Sequence, residues 1–405
     1  MRKMKIIRKI NNILISNQKW LYFGSFFFLF SYIFLLPFEE LFSFQGISIL
    51  RIIGLIYLLV SFPLTLTRFK FEKRMLFALP LIIFLLVFFA GGIYTHDKQW
   101  FFVFSKSYLF NFFVFGFALV INYDKDTLNL FSFSSLFSSF IAVFIAVFLN
   151  QSSFWVTGRY TIDLFGSNLD QNWFAIILLL GCVNGIKVLG YKKSTLYKVF
   201  IFSFISFITI GIVLTGSRTF LLAFAFVIIL YSLYSIIVKR NIALGLVSLG
   251  LILGFVLIYF LIPDNLKGRF ALSKLLAFDE PGGRFDIWSH IFPALKGHIF
   301  FGYGSGSWSL ITIKFYGTSR PIHNDFYSFL LTNGIIGLIS YSFIHVSNFF
   351  ISFKSKNYLP ILLSGILFIY CLFLDTPQAK FFWVYILFIY YFSDFKYPKY
   401  YEVKI

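Results

Sequence analysis

The chain has 405 residues, of which 59% are hydrophobic and only 13% charged, and its formal net charge is +19. A soluble globular domain carries about 25% charged residues, so the composition excludes a water-soluble globule and makes lipid the solvent for most of the surface. The excess positive charge does not indicate a nucleic-acid binder, because the basic residues come as short clusters between long apolar runs, which is the pattern of membrane topology.

A helix needs about 20 apolar residues to cross about 30 Å of hydrocarbon. The first such run, 20–37, follows a basic stretch that ends at Lys19 and has no small-residue cleavage site. That stretch reads as a cytoplasmic tail or interfacial helix leading into a retained span. Further runs follow at 48–66, 75–94, 101–121, 129–149, 172–189, 197–214, 219–238, 243–262, 327–352, 359–374 and 381–394. Cys182 and Cys371 each lie inside such a run and read as buried thiols, with no disulfide framework or metal site implied.

The fold class this predicts is an all-α polytopic membrane protein of about 12 transmembrane helices. A basic cytoplasmic tail (1–19) precedes helices one to nine (20–262), a long extracytoplasmic loop (263–326), helices ten to twelve (327–394) and a cytoplasmic tail (395–405). Charge supports the even count. With a cytoplasmic N-terminus, the inner connections and tails hold 22 Lys and Arg, and the short outer connections hold 4, namely Lys98, Arg159, Arg218 and Lys380.

Two outer segments depart from short connections, 150–171 and the loop 263–326. A loop that long inside a compact protein is unusual unless it is functional. Within it, residues 284–296 (RFDIWSHIFPALK) place Phe285, Trp288, Phe292 and Leu295 on one helical face. This reads as an amphipathic helix in the membrane interface, kinked by Pro293.

The chain has no Gly-rich phosphate loop ending in Lys-Ser/Thr, no His/Cys cluster with zinc spacing and no serine-hydrolase elbow. Neither a metal nor a cofactor is expected. What remains is a set of cations assigned to one depth: Arg51 and Lys106 near the outer ends of the second and fourth spans, Arg159, Arg218, Arg284 and Arg320. Charge at this depth is costly unless paired. Six cations with few acids nearby suit an anion such as a diphosphate, which the planar guanidinium fork holds with two parallel hydrogen bonds. The alternatives are snorkelling to headgroups and pairing with Asp163, Asp170 or Asp286. His323-Asn324 closes the long loop just before the tenth span. An interfacial histidine is usually a wet hydrogen-bonding residue, but beside a cationic pocket a neutral imidazole can accept a proton from a sugar hydroxyl.

The run His323-Asn324, nine residues, then Gly334-x-x-Gly337 resembles the signature of the O-antigen ligase and O-antigen polymerase superfamily. TGSRTFLLAF (215–224), GGRFDIWSHIFPALKGHIFFGYGSGSW (282–308) and DLFGSNLDQNWFAIILLL (163–180), which enters a span through Asn172, look like further blocks of that family. The resemblance covers about 160–345 by motif. It implies a donor glycan on a lipid diphosphate, usually undecaprenyl diphosphate, attacked at its anomeric carbon by an acceptor hydroxyl at the outer face of a bacterial inner membrane. Arg218 and Arg284 would hold the diphosphate. His323 would orient or deprotonate the acceptor, with Asn324 fixing the imidazole or contacting sugar and Arg159 and Arg320 as secondary contacts. Arg51, Lys106 and Asn172 complete the expected substrate-binding set. Gly302, Gly304 and Gly306 would let the loop turn near the ligand, or form a plain surface turn. A chain-length regulator and a flippase are the partners such a system implies. The lysine-, isoleucine- and phenylalanine-heavy composition favours a Wzy-type repeat-unit polymerase making capsular, exo- or O-antigen polysaccharide over a ligase that moves finished polymer to a terminal acceptor. A flippase is the alternative of another class; no internal repeat supports it.

Overall fold

The computed structural model describes residues 2–39, 42–44, 47–68, 78–121, 123–149, 163–164, 167–168, 170–190, 194–237, 240, 284–317, 319, 321–355 and 357–393. In chain order these form α1 (Arg2–Phe34), α2 (Ile49–Arg68), α3 (Leu79–Ile93), α4 (Lys98–Ile121), α5 (Lys125–Phe144, continued by a π-turn to Leu149), α6 (Gln171–Leu189), α7 (Thr195–Leu214) and α8 (Arg218–Ile237). Then come α9 (Arg284–Ser289), α10 (Ile291–Ala294), α11 (Trp308–Tyr316), α12 (Asp325–Lys354), α13 (Leu359–Cys371) and α14 (Lys380–Phe392). Strand pairing among the described residues is confined to two hairpins of two-residue strands, Ser43–Phe44 with Ile47–Ser48 and Asp163–Leu164 with Ser167–Asn168.

Seven of these helices are long and apolar enough to cross a membrane, and α3, α13 and α14 are shorter apolar helices. The chain is an all-α polytopic membrane protein. Every predicted span that falls on described residues is helical. The ninth, 243–262, lies outside them, as do 263–283 of the long loop and the tail 395–405. No break separates the basic tail from the first span, since α1 runs unbroken from Arg2.

Local sequence sets the helix ends. Asp124 caps α5 by accepting the Thr127 N–H at 2.7 Å, and Asp170 caps α6 by accepting those of Asn172 and Trp173. Pro80 and Pro360 sit in the first turns of α3 and α13, where a missing N–H costs nothing. In lipid, helices associate through close packing of small residues and a few buried hydrogen bonds. The α5–α6 contact shows both: a side chain at Gly181 would strike Ser139, and Asn184 donates to Ser135 Oγ at 3.3 Å.

Helices α13 and α14 form the centre, their side chains almost entirely buried. Helix α14 packs on α4, α12 and α13, with Trp383 edge-on to Phe112 and Phe115 and Tyr385 Oη donating to the Ile176 carbonyl at 2.7 Å. Each of these two helices is only 13 residues long, about 20 Å. The turn between them therefore ends inside the bundle. Asn111, thirteen residues along α4 from Lys98, donates to the Gln378 carbonyl in that turn at 3.3 Å.

Helix α12 is bent back on itself. Gly334 has φ 66°, ψ −160°, a conformation open to glycine alone. The Tyr341 hydroxyl donates to Asp325 Oδ2 at 2.8 Å, although 16 residues of straight helix would separate their backbones by about 24 Å. Residues 325–333 thus run alongside the start of 335–354. The predicted tenth span, 327–352, is therefore bent into a hairpin, which carries His323 to the depth of the α13–α14 turn.

The outer segment fills that bend. Tyr303 and Gly304 donate their N–H groups to the Leu331 and Thr332 carbonyls at 3.1 and 2.7 Å, and Ile335 N–H donates to the Ile299 carbonyl at 2.8 Å. Gly302, Gly304 and Gly306 all have positive φ, and a Cβ on them would come within 2.6 Å of the backbone at Thr332, Thr95 and Phe101 respectively. These glycines let two backbones meet. The stretch 284–296 is helical but is broken at His290, not at Pro293. Its predicted apolar face is split: Trp288 and Leu295 pack inward on Ile322, Leu331 and Tyr327, while Phe292 remains exposed.

Candidate functional site

Three elements converge where α12 begins. The first is the 215–218 turn. Thr215 Oγ1 accepts the Ser217 N–H, Ser217 Oγ accepts the Phe220 N–H at 3.4 Å, and Gly216 turns at φ 62°. This cap starts α8 and places Arg218, an exposed side chain, at its first position. Ser217 Oγ also donates to Asn172 Oδ1 at 2.9 Å, so Asn172 ties the start of α6 to this turn.

The second element is α9, which opens with Arg284. Burial pushes the Arg284 guanidinium below its usual range, and the nearby Arg218 charge pushes the same way, while Asp170 and Asp375 oppose them. Arg218, Arg284, Asp170 and Asp375 therefore share one electrostatic neighbourhood.

The third is the His323-Asn324-Asp325 run against the α13–α14 turn. His323 has φ 53°, left-handed for a residue with a Cβ. Its N–H donates to Asp375 Oδ2 at 3.2 Å, and its Nδ1 lies 3.5 Å from the same oxygen. Ser328 Oγ donates to Asp375 Oδ1 at 3.2 Å. Asp325, only 1% exposed, accepts from Thr376 N–H at 2.9 Å, from Thr376 Oγ1 at 2.5 Å and from Tyr341. Two carboxylates thus clasp adjacent residues across one gap: Asp375 reaches the start of α12, and Asp325 reaches Thr376.

The imidazole of His323 is held below its usual pKa, first by burial and also by Arg284, with Asp375 and Asp170 opposing. At neutral pH it is uncharged. The tautomer with its proton on Nδ1, the nitrogen facing Asp375, leaves the Nε2 lone pair free. The Asp375 carboxyl is pushed up by burial and drawn back by His323, Ser328 and Arg284.

Of the predicted residues, Arg218, Arg284 and His323 are brought together. Asn324 plays another part than expected: it is buried, its Oδ1 accepts the Tyr327 N–H as the α12 cap, and its Nδ2 donates to the Leu372 carbonyl, both at 3.0 Å. Arg51 and Lys106 are exposed on the adjacent helices α2 and α4, where Gly54 packs on Phe110. Arg159 and Arg320 lie outside the described residues. Asp375 is the residue the sequence reading missed. Its signal was available, since an acid between two apolar runs needs a partner. Among the described residues no group of His, Cys, Asp and Glu is arranged to hold a metal ion.

No curated protein matches the chain. Residues 201–342 match the family model described as O-Antigen ligase, a stretch that includes α8 with Arg218, α9 with Arg284 and the His323–Gly337 bend. That match, over about a third of the chain, supports the resemblance to the O-antigen ligase and polymerase superfamily.

Proposed function

We propose that this protein polymerises oligosaccharide repeat units carried on undecaprenyl diphosphate, by glycosyl transfer at the outer face of the bacterial cytoplasmic membrane. The observation that carries the reading is the Arg218–Arg284 pair. Two guanidiniums presented by separate elements repel each other, and such a pair is favourable when a multiply charged anion lies between them. A diphosphate fits that requirement. As the acceptor hydroxyl oxygen bonds to the anomeric carbon, the bond from that carbon to the diphosphate oxygen breaks, and the departing lipid diphosphate takes the electron pair. The arginines stabilise the charge that grows there. His323 Nε2 takes the hydroxyl proton, and Asp375 steadies the imidazolium that results. The diphosphate is a good leaving group, so no nucleotide is needed.

The test is substitution in a strain that depends on this chain. Arg218→Ala and Arg284→Ala should each lower polymer formation about 100-fold or more while the protein stays in the membrane. Arg284→Lys should recover little, because a point charge does not replace the fork. Wild-type polymer levels in both alanine variants would end the proposal. A deletion strain separates the two branches: single lipid-linked repeat units remaining means polymerase, and long lipid-linked polymer accumulating means ligase. Purified protein that moved the lipid-linked unit across vesicles without forming a glycosidic bond would instead make it a flippase.

A further inference from the structure

We infer that Ile299, Phe300 and Phe301 of the outer segment are embedded among the acyl chains of the leaflet at the site-bearing end of the bundle, as an apolar wedge that completes the short wall of α3.

The three side chains are 52%, 65% and 62% exposed, a consecutive apolar triplet that the protein itself does not cover. They do not stand alone. The Ile299 carbonyl accepts the N–H of Ile335, and Ile335, Ile336 and Ile339 form an exposed apolar strip down α12. The Phe301 carbonyl accepts from Tyr94 Oη at 2.7 Å. Tyr94 directly follows Ile93, which is 88% exposed and ends the outward apolar face of α3. The triplet therefore joins two faces that are lipid-facing by virtue of the fold, and the occupant that covers those faces covers it as well.

Length makes the same case. Helix α3 has 15 residues, about 22 Å, against about 30 Å of hydrocarbon. The segment seats on its end, with Gly304 so close to Thr95 that a Cβ would lie 2.4 Å from the Thr95 Cα. It adds apolar height where the helix stops. Backbone at that depth must be satisfied within the protein. The Ile299 and Phe301 carbonyls are bonded as above, and Ser305 N–H donates to the Gly91 carbonyl at 3.2 Å. The flanks have interfacial character: Lys296 and His298 are exposed on one side, and Trp308 meets Trp100, centroids 5.7 Å apart, on the other.

The experiment uses the full chain in phosphatidylcholine–phosphatidylglycerol vesicles, with Phe300→Cys or, should that variant fail to fold, Ile299→Cys or Phe301→Cys. Lys296→Cys is the polar control. The native Cys182 and Cys371 are buried, and the unsubstituted protein gives the background. A membrane-impermeant maleimide should label position 300 at least about 10-fold more slowly than position 296, and a bimane at 300 should be quenched strongly by lipids brominated on their acyl chains. Labelling at 300 as fast as at 296 with no acyl-chain quenching would overturn the wedge. So would efficient disulfide cross-linking between copies through position 300, which would make the triplet a contact between two chains.

Discussion

At His323, a strained backbone and a neutral ring occur together. The left-handed conformation costs about 1 kcal/mol, and the Asp375 carboxylate offsets it by accepting the N–H that this conformation exposes. The same oxygen faces Nδ1, so one acid fixes both the backbone and the ring. In the proposed mechanism His323 is the base, and a base works only when unprotonated, so activity should be lost as pH falls through the histidine pKa, which burial holds below its usual value. In Asp375→Asn the group that opposed this lowering is removed. The acid limb of the pH–activity profile should move to lower pH, with a rate lower by about 10-fold or more from lost orientation. An unchanged profile would mean that His323 does not titrate in the reaction. The pairing was not visible in the sequence, because His323 and Asp375 are 52 positions apart and lie on opposite sides of two spans.

Among the elements, the hinge of α12 decides where the site lies. The nine-residue gap between His323-Asn324 and Gly334 was legible as a motif, but its meaning is a bend. The Leu331 and Thr332 carbonyls freed at Gly334 are taken up by the N–H groups of Tyr303 and Gly304. A Cβ at Gly334 would come within 2.2 Å of the Phe300 carbonyl carbon and oxygen. Gly334→Ala should therefore lower stability by about 3 kcal/mol or more, combining strain and overpacking. Gly297→Ala is the control: its φ is also positive, but nothing lies within 4 Å of the added carbon, so only about 1 kcal/mol of strain should appear. Thermal unfolding in detergent measures both, and equal losses would show that the bend is not tightly packed.

For the whole molecule, the two ends of the bundle differ in charge and in chemistry. Arg218, Arg284, His323 and Asp375 gather at the end where α6, α8 and α12 begin. Arg68 at the close of α2, Lys187 in the last turn of α6 and Lys354 at the close of α12 lie at the other end. By the positive-inside rule we propose that this second end faces the cytoplasm. In intact cells, an impermeant thiol reagent should label Lys296→Cys and should reach Lys354→Cys only after the membrane is opened. The reverse result would put the arginines on the wrong side for a donor at the outer face.

Composition and run length alone determined that the chain is a polytopic helical membrane protein, because about 20 apolar residues in lipid have few choices but to form a helix and satisfy their own backbone. Local pattern also marked Arg218, Arg284 and His323 through their resemblance to a family signature. What only the tertiary structure decided is the depth of the candidate site and the pairing of Asp375 with His323. Both depend on short helices α13 and α14 ending inside the bundle and on Gly334 folding α12 back against Tyr341. Apolar periodicity does not record how deep a helix stops, and a carboxylate on one turn acquires its role only from the residues that packing sets opposite it.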